Sequence, residues 1–191
     1  MDSRAILLSE VGKTMSSNNW NIRPIQWASV TENELSSRYY QMLLRWIPFA
    51  NEHFQEWNGR PNCGYFFGGC FAYGTDTSYI TAIFAVLSKV GKYDPEITGV
   101  SRQQLMEKAI KGIRYLGLTH EEGPSDCVRV EGNNPFYSKQ KWGRKDEDYF
   151  RATQTGRSVA ALSLAARFLW DELDGETKEL VHNAAASYAD R

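Results

Sequence analysis

The segment that most constrains the fold is residues 78–90, which are apolar nearly all the way round a helix. Thr75 or Thr77 supplies a hydroxyl at the start of this helix, and Gly91 follows its last turn, so both ends carry residues that cap helices. A helix with apolar residues on every side is buried on both sides. The rest of the chain is therefore expected to provide helices that cover it.

One covering helix is predicted upstream. Thr31 and Glu34 form a capping box, in which each side chain accepts a hydrogen bond from the other residue's backbone. The apolar residues behind this box recur at spacings of three and four and are Leu35, Tyr39, Met42, Leu43 and Trp46. They give one apolar face, typical of a helix that packs on a core. Pro48 predicts a kink or a break, because proline removes a backbone hydrogen bond, with residues 49–57 as a second helical piece.

Three more helices are predicted downstream. Ser101 and Gln104 form a second capping box, for an amphipathic helix that ends at Gly117. Residues 149–173 and 176–189 follow, and Asp174 caps the last helix. About five helices without a strand hairpin or a βαβ unit predict an all-α fold of antiparallel helical hairpins in two layers. Residues 1–30 are predicted to form an irregular arm, and residues 31–191 one helical domain.

Composition bears on partners and compartment. The 191 residues carry a net charge of −1, so no attraction to nucleic acid or to an anionic membrane is expected. We find no apolar run of membrane-spanning length and no signal peptide. This predicts a soluble protein, cytoplasmic or, if a signal was removed, secreted. The spacing of the three cysteines, Cys63, Cys70 and Cys127, matches no zinc motif. Two redox states stay open, a Cys63–Cys70 disulfide and free buried thiols. The sequence also leaves the oligomeric state open.

The common motifs for phosphate, dinucleotide, zinc-protease and calcium sites are absent from the sequence, so no cofactor or metal is predicted. Acid–base chemistry or pure binding remains. His120 is the candidate for proton transfer, because it lies after a helix end in the irregular segment THEEGPSDC (119–127) and imidazole titrates near neutral pH. The competing interpretation is a loop histidine at a helix C-terminus, where positive charge is favoured.

A second candidate segment, residues 133–151, mixes rings, amides and arginines in a long loop that leads into a helix. Rings stack on sugars, while amides and arginines hydrogen-bond hydroxyls and carboxylates. The predicted ligand contacts are Asn133, Asn134, Tyr137, Trp142, Arg144, Tyr149 and Arg151. Alternatively, Trp142 anchors an ordinary loop and the arginines pair with Asp146 or Glu147. Trp57 and Tyr65, in an aromatic stretch, are candidates for lining a cleft or belong to the core.

Three short segments carry a resemblance to a group of enzymes: THEEGP (119–124), KWGR (141–144) and AARFLWDEL (165–173). With the alternating inner and outer helices, they are similar to the (α/α)-toroid carbohydrate-active enzymes, in particular to the helical halves of polysaccharide lyases of the heparinase II/III-like kind. The resemblance covers residues 31–191. A closed toroid needs about twelve helices of ordinary length. The resemblance therefore implies an incomplete toroid, the N-terminal part of a longer domain.

The resemblance also implies β-elimination on a uronate-containing oligo- or polysaccharide. In such lyases a base removes the C5 proton, the carboxylate is neutralised and an acid protonates the leaving oxygen. The implied catalytic residues are His120, Tyr149 and Arg151. Two alternatives stay open: a glycoside hydrolase on the same scaffold, which needs two carboxylates across a cleft, and a non-catalytic module that binds sugar or protein. The carboxylates eligible for a hydrolase are Glu121, Asp126, Asp146 and Glu147.

Overall fold

The computed structural model describes residues 33–67, 75–130, 139–144 and 149–189, and over these residues the protein is mainly α-helical, as predicted. The helices are α1 (Glu34–Glu52), α2 (Thr75–Lys89), α3 (Pro95–Thr98), α4 (Arg102–Thr119), α5 (Tyr149–Phe168) and α6 (Gly175–Ala189), with a 3-10 turn at Trp170–Glu172. Strands β1 (Phe54–Glu56) and β2 (Gly64–Phe66) form a two-stranded sheet. Within the described ranges, no helix is both long and apolar enough to cross a membrane.

The central helix of the core is α2, which packs most extensively against α4 and α5. Ile80 and Phe84 are buried on one side of α2 and Ala82 and Ala85 on the other, which confirms the predicted burial on both sides. Thr81 of α2 approaches Gly112 of α4 so closely that a Cβ at residue 112 would overlap the threonine hydroxyl. Glycine at this position therefore allows the two helices to approach closely. The arrangement of these helices as part of an (α/α) toroid stays a prediction.

The starts of α4 and α6 lie where their caps predict them. The Ser101 hydroxyl accepts a hydrogen bond from the Gln104 amide at 3.2 Å, and the Gln104 side chain accepts one from the Ser101 amide at 2.8 Å. Asp174 accepts a bond from the Thr177 amide at 2.7 Å. α6 then packs on α4 and α5. The helix predicted over residues 149–173 is shorter, because it ends at Phe168 and the 3-10 turn follows.

The first helix departs from its prediction at both ends. Asn33 is the N-cap of α1, and the predicted cap Thr31 lies outside the described residues. The predicted break at Pro48 is wrong, because α1 continues through the proline. Ile47 and Ala50 are fully buried on either side of it and hold the flanking turns against the core. Packing of these two side chains offsets the backbone hydrogen bond that proline cannot make.

The face that α1 turns to the core matches the predicted one only in part, because Leu43 and Trp46 of the predicted face are half-buried against the core. Its fully buried residues are Leu44, Ile47 and Ala50, whereas Leu35, Tyr39 and Met42 are each more than half exposed. The buried set recurs at spacings of three and the exposed set at spacings of four and three, so α1 carries two apolar faces. The spacing alone cannot distinguish the face that contacts the core from the other one.

The chain after α1 forms a small hairpin where a helical piece was predicted. β1 and β2 pair antiparallel with Phe54 opposite Phe66 and Glu56 opposite Gly64. The rings of Phe54 and Phe66 meet edge to face at 5.1 Å. A Cβ at residue 64 would overlap the Phe54 ring, so glycine lets the ring lie across the sheet. The prediction that the chain has no hairpin is therefore wrong.

Candidate functional site

The candidate site is built where α4 ends and the irregular segment returns to it. His120 and Trp142 form a parallel β-bridge. In this bridge the Trp142 amide donates to the Thr119 carbonyl at 3.2 Å, and the Glu121 amide donates to the Trp142 carbonyl at 2.8 Å. We call residues 119–123 and 141–143 the bridge region. It brings together two predicted site residues that lie 22 positions apart in the sequence.

His120 is enclosed by the bridge region and is 1% exposed. Its Nδ1 accepts a hydrogen bond from the Glu122 amide at 3.1 Å, so the neutral ring carries its proton on Nε2. Gly143 has a φ of 81°, and a Cβ there would overlap Nε2 of His120. A general base must reach the proton that it removes. The burial of His120 therefore favours a role in positioning the bridge region, and its predicted role as a base stays a prediction.

Trp142 is 0% exposed and lies at the centre of the same region. Its ring packs edge to face on His120 at 4.7 Å, and its Nε1 donates to the Leu116 carbonyl at 2.9 Å. A ring that stacks on a sugar must present a free face to solvent. Trp142 thus anchors the irregular segment, which is the alternative weighed from the sequence, and its predicted contact with substrate finds no support in its burial.

Two further side chains close the end of α4. The Lys141 ammonium donates to the carbonyls of Leu118 at 3.3 Å and His120 at 3.0 Å. This places a positive charge at the helix C-terminus, where it is favoured. Burial lowers the pKa of Lys141. Arg129, buried in the irregular segment, donates from Nε to the Gln140 carbonyl at 2.9 Å and thereby holds the returning chain.

The remaining predicted residues of the second segment fall into three groups. Arg144 is exposed directly after the bridge region. Tyr149 and Arg151 lie in the first turn of α5, and the structure describes their backbone but not their side chains. The predicted contacts outside the described residues are Asn133, Asn134 and Tyr137. The described part of the predicted site thus offers one exposed cation, Arg144, beside a buried scaffold.

Trp57 and Tyr65 lie on the hairpin and pack on α4 through one residue, Tyr115. Trp57 meets Tyr115 edge to face at 5.2 Å, and Tyr65 contacts the same ring at 5.2 Å. Both predicted residues are half-buried, and burial raises the pKa of Tyr65. The Tyr115 hydroxyl accepts a hydrogen bond from the Val130 amide at 3.3 Å. Tyr115, which the sequence reading did not single out, therefore joins the hairpin to the irregular segment.

An ion pair and two thiols connect or line the loop between β1 and β2 and the irregular segment after α4. Arg60 donates to Asp126 at 2.6 Å, and this hydrogen bond lowers the pKa of Asp126 and raises that of Arg60. Cys63 and Cys127 are free and buried. Burial raises the pKa of the Cys63 thiol to about 11 and also raises that of Cys127. Both groups are therefore protonated at neutral pH and are poor nucleophiles.

The sequence could have suggested some of the residues that were missed. Tyr115 is the only aromatic residue of α4 and carries a hydroxyl that needs a partner once buried. The sequence gives no comparable signal for Arg129, because Arg129 is held by contacts with residues 139–141, at least ten positions further along the chain. Among the described residues, no group of three or more His, Cys, Asp or Glu side chains could hold a metal ion.

No protein family model, curated protein or solved structure matches this chain.

Proposed function

We propose that this chain is part of a carbohydrate-active enzyme that cleaves a uronate-containing glycan by β-elimination. The observation that carries the proposal is the His120–Trp142 bridge, which fixes the exposed Arg144 at the end of α4. The first turn of α5, with Tyr149 and Arg151, begins five residues after Arg144. A cation and a phenol from one short stretch match the needs of an elimination at a uronate, namely charge neutralisation and proton transfer.

In the proposed reaction, Arg144 and Arg151 bind the uronate carboxylate, which makes the C5 proton more acidic. Tyr149 removes that proton, the electron pair forms the C4–C5 double bond, and the glycosidic C4–O bond breaks. Tyr149, which acts as the phenolate, then gives this proton to the leaving oxygen and returns to its starting state. His120 positions the bridge region, and through it Arg144, because its buried ring cannot reach a substrate in solvent.

The test is incubation of the full chain with uronate polymers and measurement of the ultraviolet absorbance that the new double bond produces. We expect Arg144→Ala to reduce the rate by about tenfold or more, since a charge-assisted hydrogen bond contributes roughly 1.5–3 kcal/mol. Arg45→Ala removes another exposed arginine, on α1, and should leave the rate unchanged. Digests that show no absorbance across a panel of uronate polymers would contradict the proposal.

A second candidate function, a non-catalytic module that binds sugar, is favoured by the burial of His120 and Trp142. It predicts glycan binding without turnover, and Tyr149→Phe would then leave the affinity unchanged. Calorimetric titration alongside the absorbance assay distinguishes the two candidates. For a hydrolase, the hydrogen bond from Arg60 lowers the pKa of Asp126 and makes it a poor general acid, so another of the candidate carboxylates would have to take that role.

A further inference from the structure

The outer face of α1 exposes an unusual amount of apolar surface. Among the described residues, four of the seven large apolar side chains that are most exposed lie on this one face, and Met42 is 65% exposed. The exposed residues of the face are Leu35, Tyr39, Met42 and Phe49, and Trp46 between them is half-buried because it also packs against the core; we call these five residues the α1 seam. Monomeric proteins rarely leave a contiguous apolar patch of this kind uncovered, and such patches mark interaction sites.

The spacing within the α1 seam identifies the shape that would cover it. Its residues follow one another at intervals of four, three, four and three. This is the repeat by which two helices pack side by side with knobs of one in holes of the other. The seam spans 14 residue steps of α1, or about 21 Å, which equals roughly four helical turns of a partner.

The charges beside the seam indicate what the partner carries. Arg38 and Arg45 directly precede Tyr39 and Trp46 and are exposed, so they lie at the edge positions that meet the charged residues of a paired helix. Arg38 forms a highly exposed ion pair with Glu34 at 4.0 Å, which contributes little. A second copy of the chain would bring the same two arginines to the interface, whereas a helix with acidic edges would neutralise both.

We propose that the α1 seam is a docking surface for an amphipathic α-helix of a partner protein, with a 4-3 apolar repeat flanked by acidic residues. Such a helix buries the four exposed side chains of the seam in one contact. Its carboxylates pair with Arg38 and Arg45. This function is independent of the bridge region, which belongs to a different part of the chain.

The test uses two synthetic helical peptides of three heptads, each with Leu at the two apolar positions of every heptad. One carries Glu at both edges and the other carries Lys, so that like charges keep each peptide from pairing with itself. Binding of each labelled peptide to the full chain is measured by fluorescence anisotropy. We expect the Glu peptide to bind at least about tenfold more tightly than the Lys peptide, as close charge pairs at an interface allow.

Three variants assign the binding to the seam. Met42→Glu should abolish binding of the Glu peptide, and the double variant Arg38→Glu, Arg45→Glu should reverse the preference between the peptides. Leu164→Glu, at a side chain on α5 that is 44% exposed, is the matched control and should bind like the unchanged chain. Circular dichroism checks that each variant keeps its helices, which is expected because all four side chains are exposed.

Several results would overturn the proposal. They are absence of binding by either peptide, equal binding of both peptides, and equal losses in Met42→Glu and Leu164→Glu. Sedimentation of the chain without peptide measures its oligomeric state and can supply a further contrary result. A dimer that Met42→Glu dissociates would assign the seam to a second copy of this chain, whereas a monomer agrees with a partner helix.

Discussion

The bridge region and the α1 seam both place aromatic rings beside cationic side chains, but their surroundings are opposite. In the bridge region Trp142 is fully buried and its Nε1 donates to a helix carbonyl. In the α1 seam Tyr39 and Met42 are mostly exposed, and the neighbouring Arg45 is exposed too. The same residue types therefore build an anchor in one place and an open surface in the other. Burial, and not composition, distinguishes the two.

The largest effect is expected for Trp142→Ala. Loss of a fully buried indole leaves a cavity and the Leu116 carbonyl without its donor, and we expect the free energy of unfolding to fall by about 3–5 kcal/mol. Urea denaturation followed by circular dichroism measures the change. Tyr39→Ala, at an exposed ring of the α1 seam, is the comparison and should cost less than about 1 kcal/mol. Similar losses in the two variants would remove the distinction between anchor and surface.

A smaller loss is expected for Gly143→Ala. The added methyl group must adopt a positive φ and overlaps the His120 ring, so we expect about 2–3 kcal/mol less stability. Gly99→Ala isolates the backbone part, because Gly99 has a φ of 69° and nothing within 4 Å of a Cβ. It should cost only about 1 kcal/mol. If thermal and urea denaturation give equal losses for the two variants, the His120 ring does not restrict residue 143.

The next effect concerns the charge that closes α4. Lys141→Met removes two hydrogen bonds to helix carbonyls and should cost about 1–2 kcal/mol near neutral pH. The pKa of Lys141 is lower in the folded than in the unfolded chain, so the unfolded chain binds the proton more tightly. Stability from this group therefore rises as pH rises through the folded pKa toward 10.5. The difference between the unchanged chain and Lys141→Met should grow over that alkaline range, and a difference that shrinks would contradict the assignment.

The smallest effect is expected on the α1 seam itself. Met42→Gln replaces an exposed apolar side chain with a polar one of similar length and should change the free energy of unfolding by less than about 0.5 kcal/mol. Leu44→Ala, two positions along on the buried face, should cost about 2–5 kcal/mol. The pair compares the two apolar faces of α1 within one helix. A large loss for Met42→Gln would mean that the seam already packs on something in the isolated chain.

The parts of the fold that the sequence predicts correctly are those that depend on neighbouring residues. The capping pair Ser101 and Gln104 and the cap Asp174 lie within one helical turn of the amides that they bind, so both helix starts follow from local chemistry. The hairpin does not follow in this way, because the pairing of Phe54 with Phe66 brings together residues of two strands of only three residues each. Strands of that length are too short to show an alternating pattern.

The same distinction applies to the candidate site. The sequence identifies the segments that contain His120 and Trp142 as rich in functional residue types. It cannot show that a backbone bridge joins them, because about twenty residues without periodicity separate His120 from Trp142 in the chain. Nor can it show that the rings face inward, since the burial of a loop side chain depends on the helices against which it packs. Sequence reasoning therefore locates the region, and the structure separates its scaffold from its exposed arginine.

The two buried thiols have a consequence for how this region could be observed. With a pKa of about 11, only about one Cys63 side chain in ten thousand is a thiolate at pH 7. Cys127 is buried as well and follows Asp126 of the Arg60–Asp126 ion pair in the chain. Alkylation of either sulfur thus requires that the loops first separate from α4. In a chain that lacks Cys70, the labelling rate of Cys63 and Cys127 would therefore measure how often these loops open transiently.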